Sequence, residues 1–110
     1  MKNSEIAEAF SDGEETNNEK SFFVENVGGV IIAFSYGQHF PICVKFSDGV
    51  LFNMDSYSNT TARHKNLILA TLNGDLADED KMDTAEIKRV VDSVKYDGVR
   101  SKAELIEIKI

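Results

Sequence analysis

Four short apolar runs, each closed by residues that turn a chain, fill the centre of the sequence. Ser21–Val27 is followed by Gly28-Gly29, a pair able to take the positive φ angles of a tight hairpin. Val30–Tyr36 ends at Gly37. In an extended chain Val30, Ile32, Phe34 and Tyr36 share one face and Ile31, Ala33 and Ser35 the other, so both faces are expected to be covered. After Gln38-His39 and Phe40-Pro41, the residues Ile42, Val44 and Phe46 alternate with Cys43, Lys45 and Ser47. Asp48-Gly49 is the strongest hairpin signal, and beyond it Val50, Phe52 and Met54 alternate with Leu51, Asn53 and Asp55. Runs punctuated in this way predict an antiparallel β-meander.

The flanks follow a different period. Ser4 can cap a helix with Ile6, Ala7 and Phe10 on one face, ended by Gly13, and Ser11–Lys20 reads as a solvated loop. Tyr57–Thr61 offers N-cap oxygens before a helix from Thr61 to Leu72, with Ala62 near the packed side. His64, Ile68 and Leu72 lie on one line, flanked by Leu67 and Leu69, and Asn73-Gly74 ends the helix. A second acidic loop, Asp75–Lys81, leads to Asp83 and Glu86, a capping-box-like pair before Ile87, Val90, Val91 and Val94, with Gly98 as the stop. Ile106, Ile108 and Ile110 alternate with Glu107 and Lys109, which predicts a strand from Leu105 to Ile110 that pairs with the meander. The expected fold class is α+β: an antiparallel meander of about four to five strands packed with two or three helices. One domain over 1–110 is expected, divided into 1–20, a core at 21–74, and 75–110.

Charge is uneven along the chain. Of the formal net charge of -7, residues 1–20 set two lysines against six carboxylates, 21–74 balance three against three, and 75–110 set seven cations against ten carboxylates. The acidity therefore lies in the flanks. The lone Cys43 can form no intrachain disulfide, and no apolar run is long enough to span a bilayer. A reducing, cytoplasmic setting is the expectation, without membrane contact and without a cofactor.

Chemistry-bearing residues concentrate at Tyr57-Ser58-Asn59-Thr60-Thr61-Ala62-Arg63-His64-Lys65, where a helix is expected to begin. A helix N-terminus favours an anion, and Arg63 and Lys65 add charged donors, whereas plain capping by Ser58 or Thr60 explains the same residues. His39 and His64 are the only histidines, and with Cys43 and Asp55 they lack the ligand spacing of a zinc site, so no metal is expected. A nucleophile built from Ser58 or Thr61 with His64 needs an orienting carboxylate, for which Asp55 is nearest in sequence. No nucleophile-elbow glycines accompany it, and Gly28-Gly29 is a turn rather than a phosphate loop.

The string Tyr57-Ser58-x-Thr60-Thr61-x-Arg63-His64 is preceded by Ser35-Tyr36-Gly37-x-His39-Phe40-Pro41-Ile42 and the strand Val50–Met54. Together these resemble an uncharacterised family of small bacteriophage and mobile-element proteins. The likeness covers about half the chain and stops near Gly74. It implies an origin and a shared fold, and it brings no activity with it. The resulting expectation is a non-catalytic interaction protein that binds and modulates or inhibits a host protein, such as a defence or nucleic-acid-handling complex. Its surface would be acidic: Asp12, Glu14, Glu15, Glu19, Asp75, Asp78, Glu79, Asp80 and Asp83. The alternative is a nucleic-acid accessory protein. It would meet phosphate at Thr60, Thr61, Arg63, His64 and Lys65 and stack bases on Tyr36, His39 or Tyr57, against the repulsion of the acidic flanks.

Overall fold

The two glycine-bearing turns set the topology. Gly28 and Gly29 take φ values of 58° and 94°, left-handed conformations that link β1 (Phe22–Val27) to β2 (Val30–Ser35). The Asp48-Gly49 turn joins β3 (Phe40–Phe46) to β4 (Gly49–Asn53). The computed structural model describes residues 2–16, 21–72 and 76–109. Within them, the first four strands pair antiparallel in the order β1-β2-β3-β4, and β5 (Lys81–Met82) adds itself parallel to β4. The chain is thus α+β with a mixed sheet. A two-residue parallel strand lies below the reach of any periodicity argument, which is why its segment reads as loop in the sequence.

The helices cover both faces of the sheet. α1 (Asn3–Asp12) and α2 (Asn59–Thr71) lie on one face with Phe22, Val24, Ile31, Ala33, Ile42 and Phe52, while α3 (Thr84–Tyr96) lies on the other with Phe23, Val30, Ile32, Phe34, Val44 and Leu51. All six residues of β2 are buried, as double coverage demands. Gly13 ends α1 in the left-handed region, and Asp83 accepts from the Glu86 N–H at 2.8 Å to start α3. Ser4 does not cap α1. Lys2 holds that position, and Glu5 reaches back to its N–H at 2.9 Å.

Two further expectations fail for reasons the structure makes plain. Ile42, Val44 and Phe46 do not share a face, because the pairing slips from Ala33↔Cys43 to Phe34↔Pro41 and leaves Ile42 as an extra residue. This bulge turns Ile42 and Cys43 together toward α1 and α2, and it falls beside Pro41, which has no N–H to give to a ladder. The carboxyl-terminal segment is not a strand but α4 (Lys102–Lys109). Ser101 Oγ accepts from the Glu104 N–H at 3.2 Å, and the Asp48 carboxylate accepts from the N–H groups of Lys102 at 2.9 Å and Ala103 at 3.2 Å. These contacts satisfy a helix N-terminus, after which Lys, Ala, Glu and Leu are strong helix formers. Ile110, Gly74 and Asn73 lie outside the described residues.

Candidate functional site

Where β2 ends, the backbone does something unusual. Tyr36 is the sole non-glycine residue with positive φ among the described residues, at φ 56° and ψ 54°, so it leaves the strand rather than continuing the face of Val30, Ile32 and Phe34. A side chain in this region carries a conformational cost of order 1 kcal/mol or more, so its surroundings must hold it. They do. The Tyr36 hydroxyl lies 3.2 Å from Ser58 Oγ, and its ring packs against Tyr57 with centroids 4.8 Å apart. Tyr57 in turn leans on Phe40 at 5.6 Å.

Ser58 is the N-cap of α2, its Oγ accepting from the Thr61 N–H at 3.1 Å. Helical geometry then directs Thr61 and His64 to the same inner side, toward β2. Ser35 Oγ meets Thr61 Oγ1 at 3.1 Å and His64 Nδ1 at 2.8 Å, with all three side chains buried. The Phe22 ring stacks on the imidazole with centroids 4.3 Å apart. Burial holds the His64 pKa below its ordinary value and favours the neutral ring.

The connector from β4 to α2 is pinned from several sides. The Asp55 N–H donates to Asn53 Oδ1 at 2.9 Å, and its carboxylate accepts from the Thr84 N–H at 2.7 Å, which lowers the Asp55 pKa. Lys65 donates to the Asp55 carbonyl at 2.8 Å and has its own pKa lowered by burial. Shallow hollows flank Tyr57. One is lined by His39, Phe40, Asp55, Ser56, Thr84 and Lys88, the other by Ser56, Ser58, Asn59, Ala62 and Lys65.

The fold therefore gathers Tyr36, Tyr57, Ser58, Thr61 and His64 into one constellation, and it separates the remaining candidates. Thr60 and Arg63 are exposed on the outer side of α2, His39 is exposed on the turn before β3, and Lys65 folds back onto the connector. Ala62 is exposed, and Thr61 takes the packed place expected for it. The nucleophile–histidine device is not assembled: Nδ1 of His64 faces Ser35 rather than Ser58 or Thr61, and the Asp55 carboxylate is engaged at the start of α3. Among the described residues no group of three or more His, Cys, Asp or Glu stands close enough to hold a metal. Ser35, named in the sequence only as part of a strand and of the Ser35-Tyr36-Gly37 string, is the site residue that sequence reading did not assign. Its signal was present: a hydroxyl on the same face as Ile31 and Ala33, in a strand otherwise apolar.

The acidic candidates are dispersed. Thr16 donates its N–H to the Val24 carbonyl at 3.0 Å, so Asp12, Glu14 and Glu15 run beside β1, and Glu15 accepts from the Asn26 N–H at 3.0 Å. Asp78, Glu79, Asp80 and Asp83 sit at the opposite edge, beside β5. Asp78 pairs with Lys81 at 2.9 Å, Asp80 with Lys102 at 2.5 Å, and Asp83 caps α3. Glu19 and Asp75 lie outside the described residues.

Residues 12–88 match the model of a family of unknown function, DUF8033. The chain belongs to DUF8033. The family match runs past Gly74 into α3, so the whole constellation lies within it, whereas α4 falls outside. No curated protein and no solved structure matches the chain.

Proposed function

We propose that this DUF8033 protein is a non-catalytic interaction module whose contact surface is the tyrosine pair Tyr36–Tyr57. The observation that carries the reading is a strained residue with an exposed ring. Tyr36 is 37% exposed and Tyr57 is 55% exposed, yet both are held by neighbours instead of moving freely. Pre-positioned tyrosines contribute large contact area at low entropic cost and are enriched at interaction hot spots. Strain kept at a surface position, where glycine would relieve it, suggests a role for the side chain itself. The likeness to small bacteriophage and mobile-element proteins makes a host protein the partner class, inside the cytoplasm of the host cell. The acidic edges would steer encounter instead of forming the contact, since most of their described carboxylates already serve the fold.

A second reading is favoured by the neighbours of the pair. His39, Lys88 and Lys65 line the hollows beside Tyr57, and exposed aromatic rings beside the two lysines suit a single-stranded nucleic acid. One experiment separates the two. The full chain is used as bait in bacterial lysate, as wild type and as Tyr36→Phe/Tyr57→Ser, with a gel shift on single-stranded DNA and RNA run alongside. The proposal expects a protein held by the wild type and lost by the double variant, with no retardation of nucleic acid. Retention by both baits would refute it, and retardation lost in the variant would install the second reading.

A further inference from the structure

An unbroken line of polar atoms connects the exposed Tyr36 to the enclosed imidazole. Tyr36 Oη to Ser58 Oγ is 3.2 Å, Ser58 Oγ to Thr61 Oγ1 3.2 Å, Thr61 Oγ1 to Ser35 Oγ 3.1 Å, and Ser35 Oγ to His64 Nδ1 2.8 Å. Each hydroxyl has one proton to give, so such a line has a direction. Ser58 gives its proton to Thr61, so it meets Tyr36 as an acceptor and the phenol donates. The Thr61–Ser35 and Ser35–His64 contacts admit either direction, and the line runs on from Thr61 to Ser35 and from Ser35 to the imidazole when Nδ1 carries no proton.

We infer that His64 is a positioning residue for the tyrosine pair: through Ser35, Thr61 and Ser58 it sets the direction of the Tyr36 hydroxyl and so the hydrogen-bonding character of the contact surface. With Nδ1 bare, the Tyr36 proton is engaged inward and its oxygen offers lone pairs outward. The group recognised there is then a donor, such as a backbone or side-chain amide or a guanidinium. When the imidazole takes a proton, Nδ1–H donates to Ser35, and the line reverses once the Thr61 hydroxyl turns its proton toward Ser58, the opposite of the bond it makes at neutral pH. Ser58 turns its proton to Tyr36, and the phenol proton becomes available to an acceptor. A buried histidine thus changes what an exposed tyrosine can bind, through reorientation of the hydroxyls between them.

The surroundings leave this switch to the line itself. Phe22 from β1 covers the ring, and α1 turns Ile6, Ala7, Ala9 and Phe10 inward. On α2 itself Arg63 is exposed and Lys65 is engaged with the Asp55 carbonyl. From β3, the titratable groups on this side are Cys43 and Lys45. Burial pushes the Cys43 thiol up and keeps it neutral, and Lys45 donates to the carbonyls of Phe10 and Ser11.

The inference rests on the proposed contact surface for its purpose, but its test needs no partner. In isotope-labelled full-length protein, NMR follows the imidazole nitrogens of His64 and the ring of Tyr36 from about pH 8 to about pH 5. The expected result at neutral pH is an Nδ1 without a proton. On acidification the Tyr36 signals should move with the His64 midpoint, and in Thr61→Val and Ser58→Ala they should stay still while His64 titrates. If Thr61→Val fails to fold, Ser58→Ala decides the same point at the surface end. Where the imidazole stays neutral through that range, the state of Nδ1 alone decides. A proton on Nδ1 at neutral pH would overturn the inference. So would a Tyr36 signal that ignores His64 in the wild type, or one that follows it unchanged in the variants. Any of these leaves the contact surface itself standing, since that is judged by capture of a partner.

Discussion

The two faces of the sheet are built from the same strands and differ in kind. Toward α3 the centre of the interface is apolar, with the Asn53–Thr84 hydrogen bond at its edge: Phe23 stacks on Phe34 with centroids 5.0 Å apart, and Ile87, Val90, Val91 and Val94 close over them. Toward α2 the packing is interrupted by Ser35, Thr61 and His64, all buried and all hydrogen-bonded. An apolar face contributes stability in proportion to the area it removes from water, whereas a satisfied polar line gives little net stability and fixes geometry. Both faces therefore hold the protein together through their apolar clusters, and the α2 face alone adds a polar line that aims the tyrosines.

The largest expected effect breaks the first half of that contrast. Phe34→Ala should cost about 3–5 kcal/mol in denaturant unfolding, since a fully buried ring would leave a cavity between β2 and α3. Thr61→Val should cost less, about 1–3 kcal/mol, because it leaves Ser35 and Ser58 short of a partner while keeping volume. Tyr57→Ser, at an exposed position, should cost about 1 kcal/mol or less, the scale of its aromatic contacts, and should still remove the contact surface.

Acid sharpens the same comparison. The folded-state pKa of His64 is depressed, so as pH falls below about 6.5 the unfolded chain takes the proton first, and stability is lost progressively from there toward the folded value. Asp48 and Asp55 are also depressed, by backbone N–H donors from Lys102 and Thr84 respectively. Their contribution is present above about 3.9 and is lost as pH falls below it toward the folded values. A pH series of unfolding midpoints should show both windows, and His64→Gln should remove the upper one alone. The smallest effect is local: Asp48→Asn should loosen the first turn of α4, seen as faster amide hydrogen exchange at Lys102 and Ala103, with the α3 face unchanged.

How far the sequence reveals this division varies from one element to the next. Gly28-Gly29 and Asp48-Gly49 announce their hairpins because positive φ demands those residues, and Ile87, Val90, Val91 and Val94 announce α3 by their spacing. The bulge at Ile42 is hidden, since a period-two pattern continues through it while the faces exchange. The end of the chain misleads because Ile106, Ile108 and Ile110 alternate with Glu107 and Lys109. What decides for α4 is Asp48 on a distant turn. The two halves of the Ser35–Tyr36 and Tyr57–His64 motif are legible as strings of polar residues. That Ser35 and His64 meet, 29 positions apart, follows only from where β2 lies against α2.

The most direct measurement compares unfolding free energy and partner capture for the same two variants, Tyr36→Phe/Tyr57→Ser and Phe34→Leu. The expected result is a tyrosine variant that folds nearly as stably as the wild type and captures nothing, beside a core variant that is clearly less stable yet captures the partner while folded. A tyrosine variant that keeps its partner, or a core variant that loses it while still folded, would contradict the division between the apolar core that gives stability and the aimed tyrosines that give contact.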